Sequence, residues 1–512
     1  MIEKWVRSPI VLAIVFFFYL LFLWQMSVPM TGDQKVYLTI AMEMKEKGEW
    51  LIPYLFGKPN FLKPPFQYWA TILGWRTFGF NLFGALFPSV LALVLSAVLV
   101  KRLANTQSWL PSVFFASTIA SMTYGTTSQM EIWIVLFYLL AWALALKGSD
   151  VLAFLVVGVM AWIKGPLYPV LWVLSFIAFR AFQGRLREFV GAGFLSKLVL
   201  GIAIGLSWFL LAAARFPDEV IGVFFKRENL EKLNTPHGNA IGLWFEFFAT
   251  LLPVLPWMIL SVLDGELRRK IHEKRFFLFG FALLPALFFT FFPYRVGTYL
   301  YILTPVAVWV MSELPVKVQG IGRLVLAMVA ILAVGLSVLL VRLYKGSWIS
   351  GGLAVFALMS VLFWVLGYFK VRPAWIAISS LMLVTAIRLG GIGLGTKDLR
   401  ELKAETENDV APLSYLMERE DIWHEVGLVS SSLGRRIFLL KEFREISPWL
   451  DSGGKVILTE EQTGFGAGLS CREWPRLKRR MKFPLSELIL EGVSSDRGEM
   501  YRRYLICGRA KT

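Results

Sequence analysis

Charge and thiol are scarce in this sequence. Only 17% of its 512 residues are Asp, Glu, Lys or Arg, against about 25% in soluble domains. That shortfall excludes an ordinary water-soluble globule for most of the chain. Cysteine occurs twice, at Cys471 and Cys507, so no disulfide framework defines the fold, although one bridge between them is left open. Histidine occurs three times, without the spacing of a metal site. There is no C-x-x-C pair, P-loop or dinucleotide fingerprint in a fitting context. No long-period repeat is evident, which weighs against transporters built from repeated halves.

Apolar side chains are abundant. Hydrophobic residues make up 56% of the chain and aromatic residues 15%, with a mean hydropathy of +0.61. Apolar runs recur from Ser8 to Ile392. A scan for runs near 20 residues gives about thirteen spans, over 8–27, 82–100, 109–124, 130–147, 151–163, 165–182, 194–214, 243–262, 276–292, 297–312, 320–342, 348–368 and 373–393. The fifth and sixth are short, and a broken or re-entrant pair is the alternative. The formal net charge of +17 fits cytoplasmic loops rich in Lys and Arg rather than a nucleic-acid partner. Lys101 and Arg102, Lys147, the Arg180–Arg187 cluster, the Arg268–Arg275 cluster, Lys317 and Arg323, and Lys370 and Arg372 fall in alternate loops. The first span follows Lys4 and Arg7, is long and aromatic, and lacks a small-residue cleavage pattern, so it reads as uncleaved with the N-terminus in the cytoplasm. An odd number of spans then places the tail outside. From Lys397 the composition becomes that of a soluble domain. Leu402 to Met417 reads as a helix; Val426–Val429, Arg436–Leu439, Lys455–Leu458 and Tyr504–Cys507 read as short strands. The expected fold is an all-α polytopic membrane protein over 1–394, with a first outer loop over 31–80 carrying juxtamembrane helices. A small C-terminal soluble α/β domain follows over 395–512.

The orientation sorts the unusual polar residues onto the outer face: Asp33, Lys63, Glu131, Lys164, Arg227, Glu228, Asn229, His237 and Arg295. Cations on that face run against the topology rule, and a pocket for an anionic lipid headgroup accounts for them most simply. Thr31-Gly-Asp33-Gln34 matches a capping box, opening an amphipathic helix expected to lie in the interface. Asp33 then stands in the first helical turn, where the macrodipole favours its charged form; a plain helix-start role is the alternative. Lys63-Pro64-Pro65 stiffens the backbone and aims an ammonium group, which suits a phosphate or a snorkelling lysine. Glu131 opens a span and calls for a partner or the water line. Lys164-Gly165-Pro166 places a lysine at a break between spans. Arg295 opens another span beside Tyr294, Tyr299 and Tyr301, whose tyrosines also suit an aromatic belt.

As an ordered set these motifs resemble the membrane glycosyltransferases of the aminoarabinose-transferase and protein-O-mannosyltransferase type, with the GT-C fold. The matching stretches are Asp33-Gln34, Gly48-Glu49-Trp50, Gly57-Lys58-Pro59, Leu62-Lys63-Pro64-Pro65, Tyr68-Trp69, Glu131, Lys164-Gly165-Pro166, Arg227-Glu228-Asn229, and Arg295 with Tyr299 and Pro305. They cover residues 1 to about 310 in order. Two positions depart from the pattern: Gln34 replaces the second acid of an acidic pair, and Leu62 replaces the acid before Lys-Pro-Pro. The latter substitution weighs against dependence on a divalent metal and leaves no certain cofactor.

The resemblance implies inverting transfer of a sugar from a polyprenyl-phosphate donor to a lipid A-like or other acceptor at the outer face of the bacterial inner membrane. In that reading Asp33 activates or orients the acceptor, and Lys63, Lys164, Arg227 and Arg295 bind the donor phosphate. Glu131, Gln34, Tyr299, Asn229 and His237 organise the site or meet the acceptor. A monomer is expected. The rival classes are a lipid or glycolipid flippase and a non-catalytic lipid-binding relative. Transporters place their charges near the midplane rather than at one face.

Overall fold

The structure is a computed structural model. It describes residues 8–25, 32–189, 191–252, 254–255, 279–312 and 379–380, and the C-terminal segments 413–416, 437–440, 445–452, 455–459, 469–478 and 501–509. The domain boundary at 394, the spans expected over 320–393 apart from residues 379–380, and the strand expected at 426–429 lie outside these residues, as does Thr31 of the expected capping box.

The N-terminal part is helical. Its helices are α1 (Ile10–Gln25), α2 (Gly32–Lys47), α3 (Phe66–Phe78), α4 (Leu82–Ala104), α5 (Leu110–Ala116), α6 (Ile119–Gly125), α7 (Glu131–Leu146), α8 (Asp150–Lys164), α9 (Leu167–Phe182), α10 (Ala192–Arg215), α11 (Ala240–Thr250), α12 (Leu284–Phe291) and α13 (Thr304–Ser312). Among the described residues α4 and α10 are long and apolar enough to cross a bilayer. α4 is the hub: it packs against α1, α3, α5 and α7. Its ends are well specified by sequence. Asn81 Oδ1 accepts the Gly84 backbone N–H at the start, and Asn105 closes the helix in the left-handed region with Lys101 and Arg102 in the last turn, where cations suit the macrodipole.

α7, α8, α9 and α10 follow one another through short connections, and α8 lies between α7 and α10. A Cβ on Gly158 would stand 2.5 Å from the Gly201 carbonyl oxygen, and one on Gly201 would stand 2.9 Å from that of Phe154. Glycine at both positions therefore lets the α8 and α10 backbones touch. The two short spans expected over 151–163 and 165–182 are two separate helices. Gly165, at φ 89°, turns the chain between them, and Pro166 starts α9.

Three expectations change in this region. The span expected over 109–124 is broken into α5 and α6, because the Thr118 hydroxyl caps Ser121 N–H and starts a new helix. The span expected over 297–312 begins as a 3-10 segment, Gly297–Leu303, before α13. The helix expected to float in the interface, α2, is buried on nearly all sides, including Gln34, Lys35, Thr39 and Glu43. The reason is the loop after it. β1 (Tyr54–Leu55) and β2 (Lys58–Pro59) form a hairpin whose central Phe56 and Gly57 have positive φ, as a type I′ turn requires. Their backbone N–H groups donate to the Glu43 carboxylate at 2.5 and 2.8 Å. The polar face of α2 is thus satisfied by protein rather than by water. α3 is fixed from the other side: Gln67 Nε2 donates to Ser128 Oγ at 2.8 Å, and Thr71 Oγ1 lies 3.2 Å from the same hydroxyl.

The C-terminal segments form a five-stranded sheet in the order β4-β3-β5-β7-β6. Its strands are β3 (Leu413–Leu416), β4 (Ile437–Leu440), β5 (Lys455–Thr459), β6 (Leu469–Lys478) and β7 (Tyr501–Arg509), with a short helix, α14 (Ile446–Asp451), before β5. β3 pairs in parallel with β4 and β5; β7 pairs antiparallel with β5 and β6. The expected strands near 437, 455 and 504 are present. The helix expected over 402–417 is not helical at its end, since Leu413–Leu416 is a strand. Its leucines were compatible with a helical period, but the segment pairs with β4 over Leu413–Leu416 and with β5 over Leu413–Tyr415, which satisfies most of its backbone groups. Cys507 is disulfide-bonded, and Cys471, the only other cysteine, stands opposite it in the β6–β7 register.

Candidate active site

The site is built where the starts of α2, α3, α7 and α9 and the end of α8 come together. Its centre is an ion-pair cluster. Lys63, held in the turn before α3 by Pro64 and Pro65, donates to the Glu228 carboxylate. Lys232 Nζ donates to the same oxygen at 2.8 Å. Glu228 belongs to a π-helical segment, Val220–Leu230, of the kind found at functional sites. Asn229 serves this segment internally, its Nδ2 donating to Phe224 O at 2.7 Å. Phe224 in turn packs over Gly165, where a Cβ would meet its ring at 2.8 Å, so the π-helical segment is seated on the α8–α9 break. Burial pushes the Lys63 ammonium below its ordinary pKa, more than Glu228 restores it. Burial opposes the Glu228 carboxylate as well, but Lys63 and Lys232 overcome that and hold it below the usual carboxylate range.

A second pair stands alongside. Lys164 Nζ, at the end of α8, donates to Glu131 Oε1 at 2.6 Å, in the first turn of α7. The ammonium lies 5.4 Å from the Tyr299 ring centre and 5.9 Å from that of Tyr168. The charges of Lys63 and Lys164 act on each other, and Tyr299 feels Lys164, Lys232 and Glu228 together. The two pairs therefore form one electrostatic group.

His237, Tyr294 and Arg295 close another side. His237 N–H donates to Pro293 O, and Arg295 N–H donates to His237 O at 2.8 Å. The imidazole stacks on the Tyr294 ring at 4.8 Å, and Lys232 sits 5.4 Å over that same ring. The Arg295 guanidinium donates from Nε to Thr290 O at 2.9 Å and from Nη1 to Gly238 O at 3.5 Å. It is thus held by neutral carbonyls, which leave its charge available. Arg227 is exposed beside Glu228.

Asp33 stands exposed in the first turn of α2. Burial first, and then the Asp33 charge, raises the pKa of both the Tyr37 and the Tyr68 hydroxyl. Tyr37 also feels Glu131 and Glu228, and Tyr68 also feels Glu228. The two rings are 6.0 Å apart. Tyr68 is fully buried, and its hydroxyl has no hydrogen-bond partner among the described residues. These tyrosines thus connect Asp33 to both ion pairs. Lys63, Lys164, Lys232 and Arg295 outnumber Asp33, Glu131 and Glu228 among these linked groups, a balance that suits an anionic ligand.

Sequence reasoning singled out most of this group but missed four members. Glu228 was placed on the outer face and within a motif but given no role, Tyr68 stood only within a motif, and Lys232 and Tyr37 were not singled out. The spacing of Glu228 and Lys232, four apart, was a usable signal; the pairing of Lys63 with Glu228 was not, since 165 residues separate them. Asn229 bonds within its own segment, through Nδ2 to Phe224 O. Among the described residues no three His, Cys, Asp or Glu side chains stand together to hold a metal ion. Leu62 occupies one of the expected ligand positions, and Glu131 and Glu228 are engaged by lysines. Among the described residues the donor set does not fit a metal.

No protein-family model matches the chain. It is 28% identical over 289 residues to an undecaprenyl phosphate-alpha-4-amino-4-deoxy-L-arabinose arabinosyl transferase of Photorhabdus laumondii, covering 52% of each protein. It is 27% identical over 474 residues to such a transferase of Pseudomonas fluorescens, covering 85% of this chain and 80% of that one. The chain spans about half the length of several curated relatives it matches, the Photorhabdus protein among them. The crystal structure of ArnT from Cupriavidus metallidurans bound to undecaprenyl phosphate superposes with a TM-score of 0.69 at 16% identity, over 98% of this chain and 97% of that one. The apo form of the same protein gives 0.67. This chain is therefore a largely helical membrane protein with the fold of ArnT, of GT-C type, and is similar in sequence to the undecaprenyl-phosphate aminoarabinose arabinosyl transferases.

Proposed function

We propose that the protein is an inverting glycosyltransferase that moves a sugar from a polyprenyl-phosphate donor to a lipid A-like or other lipid acceptor, at the outer face of the inner membrane and as a monomer. The observation that carries this reading is that Asp33 acts on Tyr37 and Tyr68, which also feel Glu131 and Glu228, the carboxylates that engage Lys164, Lys63 and Lys232. In the reaction an acceptor oxygen forms a bond to the anomeric carbon on the face opposite the phosphate. The bond from that carbon to the phosphate oxygen breaks, and its electron pair leaves on the polyprenyl phosphate. A hydroxyl acceptor gives its proton to the Asp33 carboxylate, which passes it to water; a phosphate acceptor needs little base strength.

The leaving phosphate gains negative charge, and preorganised cations stabilise it. Lys63 and Lys232 share one carboxylate, so the pair keeps a net positive charge that a phosphate can use. Glu228 acts as the internal anion that holds both lysines in place before the donor arrives. Arg295, anchored by carbonyls among the described residues, and the exposed Arg227 complete the cationic wall. The disulfide at Cys507 suits an oxidising compartment, which agrees with a C-terminal domain in the periplasm. The location of these charges at helix ends rather than near the midplane favours this reading over a flippase.

The test uses the purified full chain with an undecaprenyl-phosphate-linked aminosugar and lipid A, with products read by mass spectrometry. The expected result is acceptor carrying one added sugar, and no such product from a folded Asp33→Asn variant. Wild-type protein that binds the donor yet never forms a glycosidic bond overturns the enzyme reading in favour of transport or binding alone.

A further inference from the structure

A second charged site lies at the opposite end of the same helices, the end that the charge pattern assigns to the cytoplasm. There the end of α7, the start of α8, the end of α9 and the start of α10 surround a cavity of about 690 Å³. Among the described residues its charged lining comprises Arg180, Arg185, Arg187 and Lys197 with one acid, Asp150. Asp150 accepts from Lys197 at 3.1 Å and from Arg180 Nη2 at 3.5 Å. One carboxylate thus meets two cations, one of them at the limit of a hydrogen bond. Arg180 is only 9% exposed, and its buried Nε has no partner among the described residues. Its guanidinium carbon lies over the Phe176 ring, 5.2 Å from the centre. Phe176, Phe179 and Phe194 supply an apolar wall beside these cations.

A buried guanidinium with an unmet donor is costly unless a ligand completes it. The planar fork of arginine matches phosphate oxygens, which accept two parallel hydrogen bonds. We propose that this cavity binds a phosphoryl group, presented either by an anionic phospholipid of the adjoining leaflet or by a soluble phosphate compound, with Arg180 as its buried anchor. The excess of cations supplies the charge match, and the phenylalanine wall provides a place for the apolar part of a lipid. The proposal does not depend on sugar transfer, because none of these residues belongs to the site at the other end.

The test measures binding to the full-length chain in neutral detergent. The probes are dioleoyl phosphatidylglycerol, dioleoyl phosphatidylcholine and inorganic phosphate, with retained lipid read by native mass spectrometry. Phosphatidylglycerol binding without a response to phosphate supports the site and identifies a lipid source; a response to inorganic phosphate supports it and identifies the phosphoryl group itself. Arg180→Gln is expected to weaken binding roughly tenfold or more, as loss of a charged hydrogen bond implies. The exposed pair R185Q/R187Q is expected to weaken it while leaving thermal unfolding unchanged, which keeps the test valid if Arg180→Gln fails to fold. Asp150→Asn, which removes the competing carboxylate, is expected to tighten it. Phosphatidylcholine binding as tightly as phosphatidylglycerol, no binding of either anion, or anion binding indifferent to R185Q/R187Q overturns the proposal.

Discussion

Glu228→Gln removes one negative charge from between two lysines while keeping the side chain's size. Lys63 and Lys232 are then left facing each other with no carboxylate. At about 4 Å and an effective dielectric near 20, each contact is worth about 4 kcal/mol before desolvation is counted. Removing one member of a buried pair costs about 3–5 kcal/mol. Because the side chains of Lys63 and Glu228 keep 18% and 15% of their exposure, the expected loss is near the lower end, about 3 kcal/mol. The pH dependence follows from the two shifts. Glu228 is held below the usual carboxylate range, so its contribution is complete above its unfolded pKa and is lost as pH falls through the folded value. Lys63 lies below its ordinary 10.5; while charged it opposes folding, and that penalty fades as pH rises from the folded value toward 10.5. In the variant the acid-side loss disappears, and the Lys63 penalty is larger and fades from a lower pH. The stability gap between the two proteins is therefore widest near neutral pH and narrows on both sides. Thermal unfolding midpoints in detergent across pH measure it. An unchanged midpoint at neutral pH, or a gap that stays constant from acid to alkaline pH, refutes the ion-pair reasoning.

Other consequences are testable in the same way. Glu131→Gln should destabilise the fold, and combining it with Lys164→Met should recover part of the loss; unfolding free energies in a double-mutant cycle should give a coupling of about 1–3 kcal/mol, and strict additivity contradicts the pairing. Tyr68→Phe deletes a buried hydroxyl with no partner among the described residues, so stability should be unchanged or slightly higher, while turnover falls if that hydroxyl meets substrate; a large loss of stability argues against the unpartnered state. Gly158→Ala places a methyl 2.5 Å from a backbone oxygen and should cost about 1–3 kcal/mol through helix separation, read as a lower unfolding midpoint; a neutral result means that α8 and α10 are not in backbone contact.

The long apolar helices and the members of the outer site were legible because hydropathy and short motifs are local properties. Lys63-Pro64-Pro65 and Lys164-Gly165-Pro166 were marked by proline and glycine that constrain backbone directly. Partners across the chain were not legible. Nothing near Lys63 names Glu228 as its counter-ion, and nothing in the alternation of α2 says that Glu43 would be covered by a hairpin thirteen residues on. Hydrophobic pattern describes which faces want burial, but here backbone N–H groups from another segment satisfied a polar face. The strand Leu413–Leu416 was misread for a similar reason: four residues carry too little period to separate helix from strand, and pairing with β4 and β5 decided it. The π-helical segment has no reliable signature in composition. It became evident only through the position it gives Glu228.

α8 has 15 residues, so it is roughly 22 Å long at 1.5 Å per residue. A hydrocarbon core is about 30 Å thick. Ionic groups stand at both termini of this helix: Glu131 with Lys164 at one, Asp150 with Arg180 and Lys197 at the other. Water or polar headgroups must therefore dip inward from each side until only a thin dielectric barrier remains between them. Acyl-chain length in the host bilayer therefore becomes a variable that sets how readily the charged groups at each terminus are reached.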